Sequence, residues 1–146
     1  MTQLSIDNLL NNKSIVKIVT PIIGHLISDR VQVSVVVPAY NEAKGLIDLL
    51  ESFNHQDSQN FEVIVVDNGS IDRTVAVCGG FISKAKYNLS VMSCTRVGPG
   101  NARRYGSDAV VNYCQYASGY KDNCKLIAYT DADCITPKDW ISTLIK

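Results

Sequence analysis

The sequence predicts an α/β fold in which a mostly parallel sheet is covered by helices on both faces. Two runs, 31–37 and 61–66, are β-branched and become continuously apolar, as strands buried on both faces require. Segments with apolar residues at helical spacing alternate with such runs, and that alternation implies right-handed crossovers between parallel strands. Turn-forming or charged residues follow the runs, which gathers polar groups at one edge of the sheet, where ligands of open α/β sheets bind.

Residues 1–30 read as a leader, expected to be helical, and 31–146 as one domain. Ser14 to Ile27 is apolar, but Lys17, Pro21 and His25 interrupt it and it falls short of the ~20 residues a membrane-spanning helix needs. It lacks the basic start and small-residue cleavage site of a secretory signal. Packing on the domain is the expectation, with peripheral membrane association as the alternative.

Val31–Val37 is the first long strand, with Pro38 expected to end it. Leu46, Leu49, Leu50 and Phe53 recur at helical spacing, and Asn41 is the expected cap of that helix. Phe61–Val66 is the second strand, stopped by Asp67-Asn68-Gly69-Ser70. A helix from near Asp72 carries Val75, Cys78 and Ile82 inward and is expected to end at Gly79-Gly80, each glycine costing about 1 kcal/mol against alanine. Leu89–Cys94 reads as a weaker strand, and Ala102, Tyr105, Ala109, Val110 and Tyr113 mark a third helix. Lys125–Tyr129 is the last strand. Pro137 suits the first turn of a final helix that faces Trp140, Ile141, Leu144 and Ile145 to the core.

Fourteen basic and fourteen acidic side chains cancel, so nothing biases the chain toward nucleic acid. The five cysteines form no Cys-x-x-Cys pair, which excludes a zinc knuckle or thioredoxin-type motif, and their odd number favours reduced thiols in the cytosol. His25 and His55 each stand alone, outside any constellation that would position a base.

The chemistry lies at the strand ends. Asp131 and Asp133, at i and i+2 after an apolar strand, can project to one side, and two carboxylates so placed repel unless a cation lies between them. Mg²⁺ or Mn²⁺ fits that donor pair and takes phosphate oxygens and waters for the rest of its shell. Arg96 to Arg104 joins a Gly-Pro-Gly loop to two guanidiniums at a helix start, as phosphate binding requires; Arg103 is the favoured contact, and Arg104 is as well explained by solvation. Asp67 suits either a turn or an acceptor for a base or ribose. Glu42 suits either a ligand contact or a helix's first turn. No G-x-x-x-x-G-K-[ST] or G-x-G-x-x-G is present, which disfavours ATPase and dinucleotide readings.

As a set, "VSVVVPAYNEAKGL", "FEVIVVDNGSIDRT", "GPGNARRYGSDAV" and "LIAYTDADCITPKDW" resemble the N-terminal, donor-binding half of a family 2 glycosyltransferase with the Rossmann-like GT-A fold, over Val31 to Lys146. The resemblance implies that Pro38, Ala39, Tyr40, Glu42, Asp67 and Asn68 hold the base and ribose of a nucleotide sugar. A UDP-sugar is expected first, with GDP- or dTDP-sugars as alternatives. It further implies that Arg103 approaches the diphosphate. Asp131 and Asp133 would be the Asp-x-Asp motif, Asp133 the more direct metal ligand and Asp131 nearer the ribose, the sugar or a metal-bound water. Transfer to a glycan, lipid or other acceptor would invert the anomeric centre.

Two departures accompany the likeness. Asn68 stands where many members carry a second aspartate, and the sequence stops in the helix after Asp-x-Asp, so no residue matches the family's general base. A domain incomplete at its C-terminus is therefore expected, with self-association through the exposed edge. The rival readings are a fragment that binds a nucleotide sugar or docks on a partner without turnover, and a nucleotidyltransferase, which fits the metal pair but not the "PAYNE" and "VVDNGS" segments.

Overall fold

The computed structural model describes residues 23–24, 27, 30–117 and 126–146. Among them five strands, β1 (Ile23–Gly24), β2 (Val33–Ala39), β3 (Phe61–Asp67), β4 (Asn88–Ser93) and β5 (Leu126–Tyr129), form one sheet in the order β1-β4-β3-β2-β5. Only β1 runs antiparallel, against β4. Helices α1 (Gly45–Asn54), α2 (Thr74–Phe81), α3 (Pro99–Ala117) and α4 (Trp140–Leu144) complete the expected alternation. The helical leader expected over residues 1–30 falls mostly outside the described residues, as do His25 and Lys125; Ile23 and Gly24 are extended.

Successive side chains of a strand point to opposite faces, and the two halves of the core follow from that rule. Val33, Val35 and Val37 of β2 join Val63 and Val65 beneath Leu46, Leu49, Leu50 and Phe53 of α1 and Cys78 and Phe81 of α2. Val36, Ile64, Val66 and Met92 pack on the other face against Ala102, Ala109, Val110 and Tyr113 of α3. Ile141 of α4 is fully buried on the α1 side, whereas Leu144, expected to face inward, is 38% exposed. One polar pair interrupts the apolar strands: the buried Ser34 hydroxyl donates to the buried Glu62 carboxylate at 2.6 Å.

Gly106 sets how closely α3 lies on the sheet. A Cβ at that position would come within 2.6 Å of Val36 Cγ1 and 2.9 Å of Val66 Cγ2. Both valines are fully buried and β-branched, so neither swings aside freely. Gly106→Ala gains about 1 kcal/mol of helix propensity and loses about 1–3 kcal/mol to overpacking. A net loss of up to about 2 kcal/mol is expected, read as a lower urea midpoint. A midpoint at or above the parent value would show that α3 has room to lift.

Pro38 was expected to end the first long strand, yet β2 runs one residue further, to Ala39. The carbonyl of Gln32 accepts from Leu126 of β5, and that of Ala39 accepts from the Asn68 backbone at the end of β3. Backbone groups of even-numbered β2 residues therefore face β5 and those of odd-numbered residues face β3. β5 stops opposite Val36, so Pro38 faces a place where that neighbour has already ended. Having no N–H, it leaves no orphan donor there. The early stop of β5 also opens the notch in which the site lies.

Among the described residues no helix is long and apolar enough to cross a membrane. Cys78, Cys94, Cys114 and Cys134 are free thiols, and Cys124 lies outside the described residues. Burial pushes the Cys78 thiol up to about 12, so it stays protonated and inert.

Candidate functional site

The segments leaving the parallel strands meet at one end of the sheet around a cleft of about 440 Å³. The end of β2 supplies Pro38, Ala39, Tyr40 and Glu42, and the end of β3 supplies Asn68. Val97, Gly98 and Pro99 come from the approach to α3, and Asp131, Ala132 and Asp133 from the turn after β5. Seven of the eight expected site residues outside the arginine helix thus border one space; Asp67 does not.

The first wall is held from outside by the segment before α2. Asn41, expected to cap α1, does something else: α1 begins only at Gly45, and Lys44 precedes it without a side-chain cap. Asn41 instead adopts φ 55, a left-handed conformation that asparagine tolerates. Its side-chain oxygen accepts from the backbone of Ile71 at 2.9 Å and Asp72 at 3.3 Å, and its own N–H donates to Ser70 Oγ. The Glu42 N–H donates to Thr74 Oγ1 and the Ala43 N–H to Asp72 Oδ2. The Thr74 hydroxyl, donating to Asp72 at 2.5 Å, is the main influence holding the Asp72 carboxyl below its usual range. Glu42 lies before the helix rather than in its first turn and borders the cleft.

Asn68 braces the second wall. Its amide donates to the carbonyls of Arg96 at 2.6 Å and Cys94 at 3.2 Å, while its side-chain oxygen accepts from the Gly98 N–H at 2.6 Å. All three bonds fold the 94–98 segment back over the end of β3. Asp67, 6% exposed, turns its carboxylate onto the N–H groups of Gly69 and Ser70, the turn-former geometry.

The third wall carries the charge. Asp131 is bound by the Arg103 guanidinium at 2.5 Å, with the two side chains 61% and 36% exposed. One helical turn further, Ser107 Oγ and the Tyr129 hydroxyl share a hydrogen bond of 2.6 Å, so α3 and the end of β5 are fastened at two successive points. Asp133 has no hydrogen-bond or ion-pair partner among the described residues and faces solvent at the cleft. Ala132 between them is buried in the α1-side core, which turns both carboxylates outward. Arg104 does not reach the cleft; it is 79% exposed and faces Asp108 at 3.7 Å along its own helix.

The anchors of this wall escaped the sequence reading. Ser52 Oγ meets Thr136 Oγ1 at 2.9 Å and accepts from the Thr136 N–H. Buried Gln56 donates to Thr136 Oγ1 and to the Pro137 carbonyl, and accepts from the Ile141 N–H. Both residues lie at or just beyond the last turn of α1, more than seventy positions away in sequence, so no local pattern announces them.

Comparison with known proteins agrees with this architecture. The family described as Glycosyl transferase family 2 matches residues 34–146. Glycosyltransferase GlyG of Streptococcus pneumoniae serotype 4 is 30% identical over 114 residues, 78% of this chain and 34% of that protein. The structure of S. aureus TarS 1-349 in complex with UDP superposes with a TM-score of 0.56 at 26% identity, over 78% of this chain and 31% of that one. Mannosyltransferase PcManGT from Pyrobaculum calidifontis, solved with GDP-Man and Mn2+, gives a TM-score of 0.55 at 26% identity, over 75% and 30%. The chain thus spans about a third of the length of these relatives. With the family matched over more than two thirds of its length and the GT-A architecture reproduced in the sheet, the chain belongs to glycosyl transferase family 2.

Proposed function

We propose that the cleft binds the nucleoside diphosphate of a sugar donor and that the chain is the donor-binding part of a glycosyl-transfer enzyme. One observation carries this reading: the wall at the end of β2, a loop braced by Asn68 and an acidic turn paired with an arginine converge on one space. UDP, UDP-GlcNAc and GDP-Man occupy related structures, which supports a nucleotide sugar, with UDP-sugars first and GDP- or dTDP-sugars as alternatives. Pro38, Ala39, exposed Tyr40 and Glu42 are assigned to base and ribose. Asn68 is assigned to shaping the wall that they face.

The donor set fits a hard divalent ion. Two exposed carboxylates give oxygen ligands on one side, and no group of three or more metal-ligating side chains exists among the described residues. Such a site suits Mn²⁺ or Mg²⁺, which keep waters and take substrate phosphate oxygens, rather than an ion caged by protein. When bound, the ion supplies Lewis-acid neutralisation of the departing diphosphate. Asp133 is poised as the direct ligand because nothing competes for it. Asp131 is held by Arg103 until an anionic guest draws the guanidinium away. Arg103 then donates charge-assisted hydrogen bonds to the diphosphate, stabilising the charge that grows as the glycosidic bond breaks.

Direct displacement with inversion remains the proposed course, toward a glycan, lipid or other acceptor, with the general base assigned to no residue here. The alternative is nucleotide-sugar binding without turnover by this chain alone. It is favoured by the β5 edge, where Leu126 and Tyr129 are 44% and 48% exposed, a surface suited to self-association or to a further segment. Sustained transfer or donor hydrolysis by the isolated chain would decide against that alternative.

Arg103→Met tests the diphosphate assignment. UDP affinity is expected to fall about 10- to 100-fold, the worth of a charge-assisted bond, while uridine affinity stays unchanged. Calorimetric titration of both ligands reads the difference. An equal loss for uridine would place Arg103 in the fold rather than at the phosphates.

A further inference from the structure

We propose that Gly45 is a positioning residue for the Asp131–Asp133 turn: its missing side chain fixes where the Asp133 carboxylate stands. The inference rests on the metal and diphosphate reading above and deepens it.

Gly45 is the first residue of α1, and the acidic turn lies directly on it. A Cβ at Gly45 would stand 3.1 Å from Asp133 Cα, 3.3 Å from Asp133 Cβ and 3.4 Å from the Ala132 carbonyl oxygen. These are mainly backbone neighbours, so no rotamer change relieves them. The turn itself has to move by a few tenths of an ångström. Its φ requires no glycine, because among the described glycines only Gly24, Gly69 and Gly98 have positive φ. Close approach, not backbone freedom, is what glycine supplies at this position.

The rest of α1 explains why the contact matters. The segment after the turn is tied to the far end of α1 through Ser52 and Gln56, and the Asp57 N–H donates to the Lys138 carbonyl at 3.0 Å. α1 is therefore the ruler along which the acidic segment is laid, pinned by hydrogen bonds at one end and by bare contact at the other. A methyl group at the contact end tips Asp133 outward, while the pinned end keeps the segment attached. Residues that orient metal ligands in this way typically alter metal affinity about 10- to 100-fold when changed.

The test compares the parent chain with Gly45→Ala and, as a control, Gly80→Ala, where an added Cβ meets nothing within 4 Å. Binding of UDP is measured by calorimetry with Mn²⁺ and with EDTA, and unfolding is followed in parallel. The enhancement of UDP binding by Mn²⁺ is expected to fall about tenfold in Gly45→Ala, at the low end of that range. UDP binding in EDTA stays unchanged and the chain remains folded. Gly80→Ala keeps the parent enhancement. Full enhancement in Gly45→Ala would overturn the proposal, as would its failure to fold, since the solvent-facing turn is held to absorb the shift. A parent chain that binds UDP equally with Mn²⁺ and EDTA would overturn the metal reading itself and this inference with it, so the two failures are told apart.

Discussion

In the Asp133→Asn chain, UDP and Mn²⁺ added together are expected to raise the melting temperature no further than UDP alone. The parent chain is expected to show the opposite, a rise with both ligands larger than either produces singly. A ligand that binds only the folded state stabilises it by RT ln(1 + [L]/Kd), about 2.7 kcal/mol at a hundredfold excess over Kd, and the ion's share of that gain is what the substitution removes. Asparagine keeps the shape of the side chain and takes away its charge and one anionic oxygen. Because Asp133 is exposed and makes no bond within the described fold, the ligand-free stability is expected to stay within about 0.5 kcal/mol of the parent. The substitution therefore isolates the ligand from the scaffold. Retained synergy would remove Asp133 from the metal site.

Asn68→Asp is expected to destabilise the chain by about 2–5 kcal/mol at neutral pH, since two donor bonds vanish, leaving the Arg96 carbonyl with only the weak Cys94 thiol and the Cys94 carbonyl without the amide. The amide donates to the carbonyls of Arg96 and Cys94, whereas a carboxylate has nothing to donate and repels both oxygens. Only the bond accepted from the Gly98 N–H survives. Folding favours the protonated form of the introduced carboxyl, which restores one donor. Its pKa in the folded state is thus raised, and the destabilisation eases as pH falls and grows as pH rises through that value. Urea unfolding across acid and neutral pH checks both size and sign. A variant as stable as the parent at neutral pH would mean that the 94–98 segment does not depend on this brace. The residue that departs from the family's common aspartate is, on this account, matched to its own loop.

Much of the fold was legible because its signals are local. Continuous β-branched runs made β2 and β3 readable, and leucines at helical spacing made α1 readable, since burial on one or both faces writes itself into neighbouring positions. That Asp131, Asp133 and Arg103 would lie near one another was legible by the same logic, because parallel strands deliver their following residues to one edge. What stayed hidden depends on partners distant in sequence. Asn41 looks like a helix cap until Ile71 and Asp72 are seen beside it. Asn68 looks like a weakened aspartate until Cys94 and Arg96 are found against its amide. Pro38 looks like a strand end until β5 proves to stop short of it. Gly45 and Gly106 carry no signal at all, since what each requires is the absence of atoms where another element approaches.

The pairing of β2 with β5 also bears on how the site comes into being. Val33 lies in register with Phe61 on one side and with Leu126 on the other, so its second partner is synthesised long after its first. β2, β3 and β4 can associate while the chain is still being made, but the acidic turn docks only after β5 has emerged. Contacts of such long range are slow to close. If the cleft takes a nucleotide with its ion as proposed, that affinity arises only once β5 has paired with β2, and it reports on that pairing.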